Sequence, residues 1–121
     1  MNEMVTEYTG VVIRPQLADT RERYYNERGL GCYMFALDDD SIIDATQRGN
    51  SARFINHSCE PNCHARYISI DGTRKIVMSA IMDVEKDAEL TYDYCFQPET
   101  DPSVRRVPCS CGSQLCRQFL N

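Results

Sequence analysis

The sequence lacks three features that would each indicate a class of protein. No part of it approaches the roughly 18 consecutive apolar residues of a membrane-spanning helix, so we expect no membrane partner. It has no internal repeats, and it has no excess of positive charge, because its formal net charge is −5. The acidic balance argues against direct, non-specific binding of nucleic acid and suits a basic partner.

Cysteine, in contrast, is abundant. The 121 residues include seven cysteines, an odd number, and no secretion-signal pattern accompanies them, so a disulfide scaffold is disfavoured. A reducing compartment and a bound metal fit this count better. The length allows one small domain, whose limited core would gain stability from a metal.

Three of the cysteines lie close together near the end of the chain. Cys109, Cys111 and Cys116 form a C-x-C-x4-C cluster, and these three soft ligands need a fourth to complete a tetrahedral zinc site. Either Cys59 or Cys63 has the chemistry to supply it. A lone C-x-C pair is often two buried small side chains, but three clustered cysteines with a distant one after a His-Ser pair indicate zinc.

Two further segments carry more polar chemistry than an ordinary core needs. The segment from Arg53 to Cys63, RFINHSCEPNC, contains an Asn-His pair, and ELTYDY ends with Tyr92 and Tyr94. Taken alone, the Asn-His pair would stabilise a turn, and the tyrosines would pack in the core. Residues two apart on a strand project to one face, so the spacing instead predicts two phenols that line one channel.

The hydrophobic pattern predicts an α+β protein that is mostly β, with many short strands and one helix. We expect strands over 4–8, 11–14, 33–37, 42–44, 65–70, 75–81 and 88–92. The helix is predicted over 17–28, with Asp19 as its N-cap and Gly29 at its end. Asp71-Gly72 is a strong hairpin signal, and the acidic run 38–40 lacks the alternating spacing of a calcium loop, which favours a solvated turn. Residues 97–108 are expected to be a flexible connector.

Together these motifs resemble the SET-domain protein lysine methyltransferases that carry a cysteine-rich post-SET tail. The resemblance is to the MLL/trithorax–COMPASS branch, which methylates histone H3 at lysine 4, and it extends from EMVTEY at the start to CRQFLN at the end. It implies a SET fold of short strands in small sheets with a pseudoknot. It also implies a SET domain at 1–96, a linker at 97–108 and a zinc-bound post-SET segment at 109–121.

The resemblance assigns a role to each candidate residue. The implied zinc ligands are Cys59, Cys109, Cys111 and Cys116, which leaves Cys32, Cys63 and Cys95 as free thiols. The implied contacts to S-adenosylmethionine are Asn56, His57, Tyr33 and Tyr94. Tyr94 takes the catalytic place, Tyr92 the position that sets how many methyl groups fit, and Tyr8 a place at the channel for the substrate lysine.

The same resemblance implies a setting for the protein. Its substrate would be the histone H3 tail, its partners the adaptor subunits of a COMPASS-type complex, and its location the nucleus. A different class of function is a catalytically inactive SET and post-SET zinc module that binds histone tails or adaptors. A plain structural zinc domain would explain the cysteines but would leave the Asn-His and Tyr-x-Tyr motifs without a role.

One motif of the family is missing from this sequence. SET domains open with strands that carry a Gly-x-Gly turn against the cofactor, and no such turn precedes Met4, whereas Gly29-Leu-Gly31 follows the predicted helix. We therefore expect Met1 to be a truncated start and the 121 residues alone to bind the cofactor poorly. A strand edge left open at this place is expected to favour self-association.

Overall fold

A computed structural model describes residues 3–96 and 100–121, and these residues form two compact units. The helix unit comprises Met4–Phe54 and Ala65–Met78, and the cysteine unit comprises Glu3, Ile55–His64 and Ser79–Asn121. The expectation about Met1 and the part of the predicted connector at 97–99 lie outside the described residues. None of the helical segments in the described residues is long and apolar enough to cross a membrane.

The elements are short and mostly extended, as the sequence predicts. The strands are β1 (Met4–Glu7), β2 (Val11–Ile13), β3 (Met34–Asp38), β4 (Ser41–Asp44), β5 (Asn56–His57), β6 (Cys63–Ile70), β7 (Thr73–Ala80) and β8 (Thr91–Tyr92). They are accompanied by one α-helix, α1 (Pro15–Glu27), and a 3-10 helix at Ser51–Phe54. The predicted α+β, mostly β class is therefore confirmed, while the pseudoknot and the three-part domain division stay predictions.

The helix begins earlier than the sequence pattern predicts. Arg14 occupies the N-cap in an extended conformation and Pro15 follows as the first helical residue, so the prediction of Asp19 as N-cap was wrong. Proline suits this place because its fixed φ is already helical and the first-turn N–H that it lacks has no partner within the helix. The end is as predicted, since Gly29 has a φ of +69°, a conformation that glycine adopts without strain.

In the helix unit, the sheet that contacts α1 has the strand order β2-β4-β3. Both of its strand pairs are antiparallel, with Val12 opposite Ile43 and Phe35 opposite Ile43. The acidic turn joins β3 to β4, and the backbone N–H of Asp40 donates to the Asp38 carboxylate at 2.8 Å. This is the solvated turn that the sequence predicts.

A buried carboxylate joins this sheet to the helix. Asp44 in β4 is 2% exposed and accepts hydrogen bonds from the Tyr25 hydroxyl at 2.7 Å and the Arg21 guanidinium at 3.0 Å, both on α1. The backbone N–H of Thr46 donates to its other oxygen at 3.0 Å. Burial alone would raise the pKa of Asp44, but these donors hold it below its ordinary value. The carboxylate is therefore charged at neutral pH.

The second sheet has the order β1-β7-β6, and most of β6 and β7 belongs to the helix unit. The predicted hairpin turn is confirmed, because Asp71 and Gly72 both have positive φ, at 51° and 78°, as a type I′ turn requires. Ile76 and Met78 in β7 are fully buried. This hairpin supplies much of the apolar core.

The cysteine unit contains the parallel pair β5 and β8, with Asn56 opposite Thr91 and His57 opposite Tyr92. The strand predicted over 88–92 is thus shorter than expected. The side chain of Asn62 explains this, because it donates to the Glu89 carbonyl at 2.8 Å and accepts from the Thr91 N–H at 2.9 Å. Side-chain hydrogen bonds of this kind replace ladder bonds and end regular pairing.

Candidate metal centre and active site

The pairing of β5 with β8 brings the two motif segments together. Ser58 continues the pairing, because its N–H donates to the Tyr92 carbonyl at 3.2 Å. Beyond the strands, the Asn56 side-chain amide donates to the Glu89 carboxylate at 2.6 Å. Residues that are more than thirty positions apart in the chain thus form one local arrangement.

Tyr92 and Tyr94 pack against each other, and their place along one channel stays a prediction. Their ring centroids are 4.8 Å apart. Tyr92 is 7% exposed, and the Tyr94 hydroxyl donates to the Ile55 carbonyl at 2.7 Å. The Tyr94 ring also meets the His57 ring edge-on at 5.2 Å. The phenol of Tyr94 is held in one orientation by these contacts.

The imidazole of His57 contacts both the tyrosine segment and a cysteine. Its Nδ1 accepts the backbone N–H of Tyr94 at 3.1 Å, and its Nε2 lies 3.4 Å from the Cys59 sulfur. Burial lowers the pKa of His57 although the Asp93 carboxylate raises it, so the ring is neutral at pH 7. Because Nδ1 accepts, the single proton lies on Nε2 and points to the sulfur.

Four cysteine sulfurs converge in this unit, and they are those of Cys59, Cys109, Cys111 and Cys116. All four lie within 4.8 Å of one another, and those of Cys59 and Cys109 are 3.9 Å apart. Four sulfurs bound at ~2.3 Å around one tetrahedral zinc ion would lie about 3.8 Å apart. The donor set and its spacing therefore fit a structural zinc ion, with Cys59 rather than Cys63 beside the tail.

Backbone N–H groups lie close to several of these sulfurs. The N–H of Arg117 lies 3.4 Å from the Cys59 sulfur and that of Gln118 lies 3.3 Å from the Cys116 sulfur. Hydrogen bonds from the backbone of Cys59 and Ser113 lower the pKa of Cys111 to about 6. A backbone hydrogen bond from Cys111 lowers the pKa of Cys109, but burial and the neighbouring cysteine thiols raise it to about 12. Metal ligation requires thiolates, so binding of a metal ion here would release protons.

The turn within the tail depends on a glycine. Gly112 has a φ of +79°, which a residue with a side chain adopts only with strain. It lies between Cys111 and Ser113, whose carbonyl accepts the Cys116 N–H at 3.2 Å. The glycine thus lets the chain reverse between the second and third clustered cysteines.

The other three cysteines have a different character. All seven cysteines are free of disulfide bonds. Burial raises the pKa of Cys32, Cys63 and Cys95. These thiols are therefore protonated at neutral pH, and Cys63 is a packed side chain at 1% exposure.

A cavity of about 350 Å³ opens beside the motif residues. Its lining is formed by Asn56, His57, Ser58, Glu89, Thr91, Tyr94, Pro108, Cys109, Ser110, Cys111 and Leu120. Small-molecule sites have volumes of roughly 300–1,000 Å³, so its size is that of a ligand site. The segment that carries the clustered cysteines supplies one wall and the β5 and β8 segments supply another.

Two of the predicted site residues, Tyr8 and Tyr33, belong to the helix unit. Tyr8 is 4% exposed and its ring lies 5.2 Å from that of Phe35. The Tyr33 ring meets that of Phe54 edge-on at 5.6 Å, and its backbone N–H donates to the Thr46 hydroxyl at 3.0 Å. Their roles at the substrate channel and the cofactor stay predictions.

Sequence reasoning missed four residues that organise this region. Asn62 and Glu89 fix the β5 and β8 segments, and Asp93 and Arg117 form an ion pair at 3.0 Å beside His57. Arg117 directly follows the last clustered cysteine and Asp93 separates the two tyrosines. Their positions next to motif residues were the available signal.

Comparison with known proteins identifies the family. A family model described as the SET domain matches residues 1–95. Histone-lysine N-methyltransferase trithorax of Drosophila virilis is 54% identical over 119 residues, which are 98% of this chain and 3% of that protein. Histone-lysine N-methyltransferase 2B of Homo sapiens is also 54% identical over 119 residues, which are 98% of this chain and 4% of that protein.

A fungal relative is equally similar. The histone-lysine N-methyltransferase of Emericella nidulans described as H3 lysine-4 specific is 54% identical over 121 residues, which are 99% of this chain and 10% of that protein. The chain therefore spans about a tenth or less of the length of these three relatives. On the family match and these identities, the chain belongs to the SET-domain family.

Proposed function

We propose that this chain is the catalytic module of a protein-lysine N-methyltransferase that uses S-adenosylmethionine and acts on lysine 4 of histone H3. The observation that carries the proposal is the cavity lined by Asn56, His57 and Tyr94 in a chain of the SET-domain family. The substrate comes from relatives, one of which is described as H3 lysine-4 specific and is 54% identical.

The cavity suits the methyl donor in size and composition. It combines polar atoms of Asn56, His57 and Glu89 with the rings of Tyr94 and Pro108 and the side chain of Leu120, a mixture that fits a nucleoside with a polar amino-acid end. When bound, S-adenosylmethionine supplies an electrophilic methyl group on a positively charged sulfur and leaves as S-adenosylhomocysteine. Asn56 and His57 would hold it.

The chain's own residues would prepare and align the attacking amine. A lysine ammonium has a pKa of about 10.4, so at neutral pH it must lose a proton to solvent before its nitrogen can form the new N–C bond. A buried channel lined by Tyr92 and Tyr94 would disfavour the charged amine and lower that pKa. Alignment by the phenol oxygens then supplies much of the acceleration, since effective molarity is worth roughly 7–11 kcal/mol.

Cys59 and the three clustered cysteines of the tail would hold one zinc ion and keep the tail in place as a wall of the cavity. Cys109 and Cys111 are both ligand candidates and lining residues of the cavity. Loss of the ion would therefore remove part of the S-adenosylmethionine site as well as a source of folding free energy.

The acidic chain would act on the basic histone H3 tail in the nucleus, together with adaptor subunits of a COMPASS-type complex. The net charge of −5 favours encounter with a positively charged tail. Strand β1 is at an edge of its sheet and exposes Met4 at 57% and Val5 at 43%. That edge is our candidate for self-association or for contact with an adaptor.

The test is a methyltransferase assay with radiolabelled S-adenosylmethionine and a histone H3 N-terminal peptide, in the presence and absence of COMPASS-type adaptors. We expect labelling that disappears when lysine 4 of the peptide is replaced by arginine. Tyr94→Phe should lower kcat about a hundredfold, the cost typical of losing one preorganised hydrogen-bonding group. Tyr24→Phe, at an exposed tyrosine of α1, is the matched control and should leave kcat unchanged.

Labelling of the arginine peptide at the same rate would remove lysine 4 as the target. Peptide binding with no labelling under any condition would instead support the inactive zinc module that binds histone tails.

A further inference from the structure

Arg117 connects the cysteine cluster to the tyrosine segment. It directly follows Cys116, and its backbone N–H lies 3.4 Å from the Cys59 sulfur. Its guanidinium reaches in another direction and donates to the Asp93 carboxylate at 3.0 Å. The residue thus has its backbone at the candidate metal site and its side chain at the segment between Tyr92 and Tyr94.

Asp93 and His57 hold the backbone on the two sides of Tyr94, Asp93 after it and His57 before it. The Asp93 Oδ1 accepts the backbone N–H of Cys95 at 2.8 Å and lies 3.7 Å from Nδ1 of His57. That same Nδ1 accepts the N–H of Tyr94 at 3.1 Å. The peptide groups before and after the Tyr94 side chain are therefore both held by groups that contact one another.

The Arg117 guanidinium also lies 3.4 Å from Nε2 of His57, but that contact is not the important one. Nδ1 of the ring already accepts from Tyr94, and the Asp93 carboxylate lies closer to the guanidinium, at 3.0 Å. The anionic Asp93 is the acceptor that holds the guanidinium. The side chains of Arg117 and Asp93 are 50% and 31% exposed, and pairs exposed to this extent contribute little to stability.

We propose that Arg117 and Asp93 are positioning residues, which tie the cysteine tail to the Tyr94 backbone and so set the place of the Tyr94 phenol. This inference rests on the proposed function of Tyr94 in methyl transfer. Neither side chain has to touch the substrate. The tail would then have two effects. Its cysteines form a wall of the cavity, and Arg117 aligns Tyr94, which lines the same cavity.

The first measurement is kinetic, on zinc-loaded chain with Arg117→Ala, Asp93→Asn, the double variant and Arg117→Lys. We expect each single variant to lower kcat about tenfold, equivalent to ~1.4 kcal/mol, with the KM for the peptide unchanged. The double variant should lose no more than either single one, because both remove the same ion pair. Arg117→Lys keeps the charge and one donor, and it should recover part of the loss.

The matched control is Arg105→Ala, at an exposed arginine of the connector that precedes the tail, which should match the parent in every measurement. Additive losses in the double variant would overturn the proposal, because they would mean that the two residues act separately. Loss of zinc from Arg117→Ala, measured by elemental analysis, would also overturn it, since the residue would then serve the metal site.

The second measurement does not depend on activity. In ¹⁵N-labelled chain we expect the Tyr94 amide to exchange with solvent faster, and its resonance to shift, in Arg117→Ala and Asp93→Asn but not in Arg105→Ala. If the parent chain methylates nothing, the proposed function fails while this measurement still decides the positioning role. Unchanged exchange and an unchanged resonance of Tyr94 in both variants would overturn it.

Discussion

The two compact units are stabilised in different ways. Among the described residues, the apolar side chains buried in the helix unit include Ile13, Leu37, Ile43, Ile76 and Met78, whereas those buried in the cysteine unit are Cys63 and Tyr92. Apolar burial stabilises by roughly 25 cal/mol per Å², and the cysteine unit has little of it. A metal ion on the four converging cysteines would supply folding free energy that such a small core lacks.

The two units also differ in how their charged groups are neutralised. In the helix unit one buried carboxylate, Asp44, is neutralised by Arg21 and Tyr25. In the cysteine unit the four converging sulfurs could hold a cation from outside the chain. We therefore expect the second unit, unlike the first, to depend on a metal.

The largest expected effect is that of removing the metal. A strong chelator at neutral pH, or Cys111→Ser, should disorder the cysteine unit and leave the helix unit folded, because its core contains no metal ligand in the described residues. Amide exchange followed residue by residue would show this. Elemental analysis should find about one zinc per parent chain, as a closed four-thiolate site requires.

Cys32→Ser is the matched control for that experiment, since burial keeps the Cys32 thiol protonated. It should retain the zinc. Full zinc in Cys111→Ser, or its loss in Cys32→Ser, would contradict the ligand assignment.

The next largest effect concerns the helix unit. Asp44→Ala leaves the Arg21 guanidinium and the Tyr25 hydroxyl without their acceptor and should lower the free energy of unfolding by about 3 kcal/mol. Zinc content should stay the same. Urea unfolding measures the loss, with Asp39→Ala in the exposed turn as the neutral control.

The same carboxylate predicts a pH dependence. Because the folded-state pKa of Asp44 is depressed, its contribution is fully present above the unfolded-state value of about 3.9 and is lost as the pH falls through the folded value. The parent should therefore lose more stability below that pH than Asp44→Ala does. Parallel acid-unfolding curves for the two proteins would be evidence against this contribution of Asp44.

A smaller effect is expected from trimming the apolar core. Ile76 is fully buried, so Ile76→Val should cost about 1 kcal/mol for the methylene and the space that it leaves. Ile70→Val, at an isoleucine that is 49% exposed, should change stability far less. Equal losses at the two positions would show that β7 does not carry the core.

The smallest structural effect is predicted for Tyr92→Phe, which removes one hydroxyl. The fold and zinc content should not change, but the ratio of di- and trimethyl to monomethyl product should rise, because a water held by the phenol would give way to a further methyl group. Mass spectrometry of the histone H3 peptide measures the ratio. An unchanged product distribution would remove Tyr92 from this role.

The features that the sequence predicted correctly are those set by residues close together in the chain. The hairpin at Asp71-Gly72, the β3–β4 turn and the end of α1 at Gly29 each depend on residues a few positions apart, and each is confirmed. Asp19 was predicted as N-cap because aspartate is common at that position in general. The prediction was wrong because the helix begins earlier, at Pro15, whose φ is fixed.

Contacts between distant residues could not be predicted in the same way. The short β8 depends on Asn62, which is 29 positions from Thr91, and the Arg117–Asp93 pair spans 24 positions. Neither contact has a local signature. The pattern also left Cys59 and Cys63 open, and the difference between them is burial, since Cys63 is packed at the start of β6 while Cys59 is half-buried beside the tail.

The separation of Cys59 from the other three candidate ligands affects how the chain folds. Its sulfur meets that of Cys109 across 50 positions, so closing the site costs the conformational entropy of a long loop. Contacts between such distant positions form slowly, and the thiols stay open to oxidation until they meet. Loop-closure entropy grows only with the logarithm of length, however, so the connection before Cys109 can gain several residues with little effect on the final stability.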